Sequence, residues 1–327
     1  MGYTNFPNGL TSFGVPLPAG NGVPTFGTTY FVDGTNGSDS NNGKEITKAF
    51  ATIQKAIDIQ TADTTGLGDT IYVMPGVYAE GLTGTLTKVS LIAVGGNYGN
   101  GPNAAVIYHA TKSGLSNITT NGARISNFTF VSPSTSTTLP AVHFANMRWT
   151  TFDNNALIGG AAACITGLQV GVEAATDTAC NCDFNLITGN YFGTVFGAAS
   201  EFAYGIKVGR VAYVAGALQR HCMSTVISYN QIAASTNGIY LGVHGDHGNG
   251  TIIHNNFITG WEGADDEGCS GACIEADNPI NAMVVNNSCT TAAASAAIVG
   301  FHAGNVLHNW TGQNGSGKLE TIVTGLG

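Results

Sequence analysis

Acidic side chains are scarce in this chain, 20 among 327 residues. The segment "EGADDEG" at 262–268 therefore stands out, with Glu262, Asp265, Asp266 and Glu267 together and Glu275 and Asp277 following. A pair of carboxylates held about 5–9.5 Å apart can hydrolyse a glycosidic bond, one as acid and one as nucleophile or base. Three oxygen donors in a glycine-rich loop can also hold Ca²⁺, but EF-hand spacing is missing here. Asp265, Asp266 and Glu267 are thus weak catalytic candidates, and a solvated loop between two strands is the preferred reading. A second acidic group comprises Glu173, Asp177, Asp183 and Glu201. "GVHGDHGNGTIIHNN" brings His244, Asp246, His247 and His254 close in sequence. Zinc needs such groups to converge at about 2.0–2.2 Å. Nothing in the spacing forces that, so a plain polar turn is preferred and His244, Asp246 and His247 are weak metal candidates. No cofactor is expected, and Ca²⁺ or another divalent ion has no support beyond these loops. Trp149, Trp261 and Trp310 could stack on sugars, but each is read as packed under a loop.

The composition bounds what could position these residues. Charged residues are 9% and glycines number 46, against about 25% and 7% in ordinary domains. Such a chain favours a turn-rich all-β fold over long helices. A net charge of −9 with eleven Lys+Arg disfavours a nucleic-acid partner. Gly and Pro interrupt every apolar run, so neither a membrane span nor a secretory signal is read. The seven cysteines are expected to be reduced and buried. Cys180/Cys182 and Cys269/Cys273 lack CxxC spacing.

One stretch, "KAFATIQKAID", reads as an amphipathic helix over 49–59, with Phe50, Ile53, Ala56 and Ile57 on one face and Thr47 as N-cap. From about residue 118 a unit recurs: a short apolar strand, an Asn, an apolar pair, a turn. Its anchors are Asn127, Asn155, Asn190, Asn230, Asn256, Asn287 and Asn309, spaced 28, 35, 40, 26, 31 and 22. Second strands follow in "YGIKVG", "NGIYLG", "ACIEA" and "AAIVGF". Units of this length that cannot bury their own apolar face suit a parallel β-helix of eight or nine coils. Asn at the bends would tolerate left-handed backbone angles and could stack into an amide ladder. Ile239 and Leu241 should then point inward and Tyr240 outward. The helix would cover one end of the stack. "GQNGSGKLETIVTGLG" leaves the other to a short closing strand or a partner subunit.

The first 28 residues carry no charge, and four of the nine prolines lie among them. Tyr3, Phe6, Pro7, Phe13, Pro16 and Phe26 read as attachment residues of an extended arm that lies on another protein. The chain thus divides into an arm (1–28), a loop with the capping helix (29–70), the β-helix (71–312) and a tail (313–327).

"YFVDGTNGSDSNNGKEITKAFATIQKAID…GDTIYVMPGVYAE" (30–80) resembles the opening segment of right-handed parallel β-helix proteins of the pectin-lyase-like class. The resemblance covers about residues 30–312. "YTNFPNGLTSFGVP" is similar to the N-terminus of tailed-bacteriophage virion structural proteins. The resemblance implies a homotrimeric capsid decoration, head fibre or tail-spike component, assembled in bacterial cytoplasm and partnered by capsid or tail proteins. The alternative is a tailspike-type depolymerase, hydrolase or lyase, acting on host surface polysaccharide. Lyases of this fold use a basic residue as proton abstractor, and no lyase motif surrounds Arg124, Arg148, Arg210 or Arg220. The structural role is the favoured expectation, and the chain reads as non-enzymatic.

Overall fold

Alternation within each short strand decides what faces inward. A computed structural model describes residues 11–12, 15–16, 27–62, 68–96, 104–134, 136, 138–159, 165–171, 182–194, 202–209, 223–242, 250–259, 269–291, 296–302, 305–313 and 319–320. It is a parallel β-helix of three sheets. Sheet 1 has ten parallel strands, from Thr29–Val32 and Thr70–Val73 to Met283–Val285 and Val306–Leu307. Sheet 2 runs from Gly76–Tyr78 to Trp310–Gln313, and sheet 3 from Thr85–Thr87 to Ile298–Phe301. The strand Gln231–Gly242 passes through both. Nine spacings of about 4.8 Å make sheet 1 about 43 Å long. The rung beyond the eight or nine expected is Thr29–Val32, which precedes the helix and pairs parallel with Thr70–Val73.

Register stacks like on like. The inward column of sheet 1 runs Tyr30, Ile71, Leu91, Ile125, Phe152, Ile187, Ile227, Ile253, Val284, Val306. In sheet 3 it runs Leu115, Val142, Leu168, Ile206, Ile239, Ile274, Ile298. Most of these side chains are fully buried. Each coil thus covers the apolar face of the next, which no coil could bury alone. Phe130 and Phe144 add aromatic contacts to Phe152, at centroid distances of 6.1 and 5.8 Å. Ile239 and Leu241 face inward, as alternation requires, while Tyr240 is half-buried on the outside.

At the bend between sheets 1 and 2, six asparagines form a continuous ladder: Asn155, Asn190, Asn230, Asn256, Asn287 and Asn309. The side-chain Nδ2 of each of the first five donates to the next Oδ1 at 2.9–3.2 Å. The same Oδ1 accepts the preceding asparagine's backbone N–H at 2.9–3.0 Å. The second Nδ2 proton goes to a carbonyl of the coil before, such as Ile187 O for Asn230. All six are buried.

Two details differ from expectation. The ladder residues are not the left-handed ones. The residue before each takes that role: Asn154, Gly189, Tyr229, Asn255, Asn286 and His308, with φ of 52–65°. Asn127 (φ 69°) belongs to that column, so it is not a rung. Phe128 occupies the rung position there and gives its N–H to Asn155 Oδ1 at 3.0 Å.

The helix spans Ile53–Ala62, starting later than its apolar pattern suggested. Thr47 lies in the short 3₁₀ turn Ile46–Lys48, and Thr52 is the local cap, its Oγ1 receiving the Lys55 N–H. Distant carboxylates fix this start. Asp39 accepts the N–H groups of Ala51 and Thr52, and Glu80 those of Ile53 and Gln54. Burial holds Glu80 above its ordinary pKa, although these two N–H bonds pull the other way. Tyr78, pushed up to about 12 by burial, donates to Met74 O and accepts the Gly34 N–H. Phe50, Ile53, Ala56 and Ile57 are buried over the first coil, so the helix does cover this end. At the other end Leu319–Glu320 pairs antiparallel with Trp310–Gln313.

Cys182, Cys269, Cys273 and Cys289 are buried thiols that form no disulfide. Hydrogen bonds with Cys269 and Cys289, then burial, hold the Cys273 thiol well above its ordinary pKa. These four should react slowly with a thiol reagent in the native protein. Unfolded without reductant, the chain should titrate all seven; a count of five or fewer would show disulfides among the others.

Candidate functional surfaces

Most of the candidates from sequence lie outside the described residues. Asp265, Asp266, Glu267 and Trp261 fall in 260–268, which joins Phe257–Thr259 of sheet 2 to Ile274–Ile280 of sheet 3. His244, Asp246 and His247 fall in 243–249, which joins Gln231–Gly242 to Ile252–His254. Glu173, Asp177, Glu201, Arg210 and Arg220 lie outside as well, as do Tyr3, Phe6, Pro7, Phe13 and Phe26. Pro16 sits in a two-residue strand that pairs with Thr11–Ser12. Among the described residues no group of three His, Cys, Asp or Glu is arranged to hold a metal.

The candidates that are described do structural work. Asp183 is buried and accepts the Met223 N–H at 3.0 Å. Arg124 meets Asp153 in a fork, Nε at 2.9 Å and Nη2 at 2.7 Å. The hydrogen bond to Asp153 raises the guanidinium pKa further. His254 stands edge-on to Tyr229 at 5.5 Å.

The richest polar arrangement lies on the outer face of sheet 3. Register places His143, Gln169, Lys207, Tyr240 and Glu275 on successive rungs. Lys207 Nζ lies 4.9 Å from the Tyr204 ring centre and 5.8 Å from that of Tyr240, and the two rings are 5.5 Å apart. Asn237 Nδ2 donates to Glu275 Oε2 at 2.7 Å and to Ala272 O. Glu275 is the one carboxylate of this column, between Tyr240 and Val299. A hydrolytic pair here would need a second carboxylate from outside it. The segments 160–164, 195–201 and 260–268 lead into sheet 3, and 172–181, 210–222 and 243–249 lead out of it.

The third surface is apolar. The outward column of sheet 1 reads Leu186, Val226, Ile252, Met283 on four successive rungs, and the parallel column ends in Val285 and Leu307. At the bend entering this sheet, Trp149 and Phe184 hold left-handed positions (φ 49° and 58°). Their rings meet edge-on at 5.5 Å, and both are more than half exposed. On the opposite bend Tyr229, Phe257 and Trp310 are exposed. Trp149 and Trp310 are therefore surface residues and not packed under loops. Position in the coil explains this: a left-handed corner, or the first outward site after a ladder asparagine, turns the side chain away from the stack.

No family model matches this chain, and no curated protein matches it.

Proposed function

We propose that the chain is a structural component of a tailed-bacteriophage virion, a capsid decoration, head fibre or tail-spike part displayed as a homotrimeric β-helical rod. The observation that carries this reading is the unbroken ladder of six buried asparagines. It staples each coil to the next and gives a stiff scaffold suited to display. The uncharged arm is the attachment device in this reading. Its prolines lower the entropy cost of docking, and its aromatics would each bury on the order of 150–250 Å² against a shell or tail protein. Thr28 is already tied to Asp69, so removing residues 1–26 should leave the rod folded with near-native melting but absent from particles. Mass spectrometry of purified particles from the culture that encodes the chain should find it in a copy number divisible by three. Its absence from particles overturns the reading, and normal incorporation without residues 1–26 overturns the role of the arm.

The polar strip on sheet 3 favours a second reading, a depolymerase acting on host surface polysaccharide. Glu275 would supply a polar contact and the half-buried Tyr204 and Tyr240 a platform for sugar rings, with the buried Lys207 beneath them. A reducing-sugar assay on capsule or lipopolysaccharide separates the two readings, because turnover would show catalysis.

A further inference from the structure

Three of the seven cysteines meet inside the rod, where the coil that begins at Asn256 stacks on the one that begins at Asn287. Cys289 lies inward on sheet 2, beside Ile258 on the rung before and Thr311 on the rung after. Cys269 pairs in parallel with Thr291 of the same sheet 2 strand. Cys273 follows after Ser270, Gly271 and Ala272, at the entrance to sheet 3. All three are fully buried. The Cys273 thiol hydrogen-bonds with both of the others, but the thiols point in different directions. Cys269 Sγ donates to Ala234 O at 3.3 Å, back toward the preceding coil. Cys273 Sγ donates to Thr290 O at 3.2 Å, the carbonyl next to Cys289 on the following coil. The Cys269 N–H reaches that same carbonyl at 3.1 Å.

We infer that Cys273 and Cys289 close to a disulfide when the rod meets a peroxide, tying two consecutive coils together from inside. Direction selects the pair: the Cys273 sulfur is turned toward the strand that carries Cys289, and the Cys269 sulfur is turned away from it. Hydrogen peroxide is close to water in size, so it needs far less opening of the core than a bulky thiol reagent. One thiol of the pair attacks the peroxide, the O–O bond breaks, and a sulfenic acid and one water result. The other thiol attacks that sulfur, the S–O bond breaks, and the disulfide forms as a second water leaves. Two S–H bonds are lost and one peroxide is reduced to two waters. The high pKa of the Cys273 thiol keeps thiolate scarce, so the reaction is slow and newly made chain stays reduced. The bond lies near the end of the stack that Leu319–Glu320 covers, and chain ends fray first. A cross-link between consecutive coils there narrows the unfolded ensemble. The inference stands whether or not the rod belongs to a particle.

The test uses the full chain, reduced, freed of reductant and held folded in dilute hydrogen peroxide. Remaining thiols are then alkylated in denaturant. Cleavage after glutamate puts Cys269 and Cys273 on the fragment 268–275 and Cys289 on the fragment 276–320. Mass spectrometry should find these two fragments joined, two hydrogens lighter than their sum, with Cys269 alkylated. The treated chain should unfold at higher urea than the same sample after reductant. Cys289→Ala should show neither the joined fragments nor that difference. Separate fragments carrying three alkylated thiols overturn the inference. So does a bond closed within 268–275, and so does Cys273 carried on to a sulfinic acid without a partner. A difference in urea midpoint that persists in Cys289→Ala would place the stabilisation elsewhere, which also overturns it.

Discussion

Asn230→Ala is expected to lower stability by about 3–5 kcal/mol. The Asn230 side chain makes four hydrogen bonds, accepting from Asn190 N and Nδ2 and donating to Ile187 O and Asn256 Oδ1, all at 3.0 Å. Alanine strands two buried donors on Asn190, each worth about 1–3 kcal/mol when unsatisfied. Asn155, at the start of the ladder, supplies its Oδ1 to one donor, Phe128 N–H. Asn155→Ala should therefore cost about half as much. Urea unfolding followed by circular dichroism distinguishes the two. Equal losses would mean that the ladder is not the source of the stability. Asn230→Asp is the sharper variant. Its second oxygen would face Ile187 O and Asn256 Oδ1, both acceptors, so burial of that carboxylate raises its folded pKa above the unfolded value. Stability from such a group is present below the unfolded pKa and lost as pH rises through the folded one. The Asp variant should be weaker than Ala at neutral pH and should recover in acid.

Ile239→Asp should give insoluble protein. Ile239 is fully buried between Ile206 and Ile274 on neighbouring rungs. An unpaired carboxylate there costs several kcal/mol, and the column offers no donor to meet it. Tyr240→Asp, one residue away on the outer face, is the control that should remain soluble. Soluble Ile239→Asp with unchanged melting would overturn the inward assignment.

The contrast between these neighbours shows what could be read from sequence. Alternation in "NGIYLG" and the recurring asparagine sufficed for the coil, because both act within a few residues. The first rung is not legible in the sequence because Asn127 mimics an anchor while Phe128 stands where the ladder asparagine would be. The helix start is not legible in the sequence because its caps, Asp39 and Glu80, are remote along the chain. The exposure of Trp149 is not legible in the sequence because a left-handed corner, and not hydrophobicity, orients that side chain. The strip of Lys207, Tyr240 and Glu275 was harder still. These residues lie 17, 10 and 19 positions after their ladder asparagines (207 − 190, 240 − 230, 275 − 256). The segments between sheets 2 and 3 differ in length, so counting from the anchor cannot align them. The usable signal was in the second strands: Lys207, Tyr240, Glu275 and Val299 each follow the inward isoleucine of "YGIKVG", "NGIYLG", "ACIEA" and "AAIVGF".

Every internal asparagine in the ladder offers the same acceptor to the coil before it and the same donors to the coil after it. Any stretch of chain from one such residue to the next is therefore an interchangeable link. Intervals from 22 to 40 residues already coexist without altering the joint between links. Duplication or loss of a whole link would leave every junction chemically unchanged, so the molecule can be lengthened or shortened in increments of about 4.8 Å. Its reach is a quantity that heredity can adjust without redesigning the core.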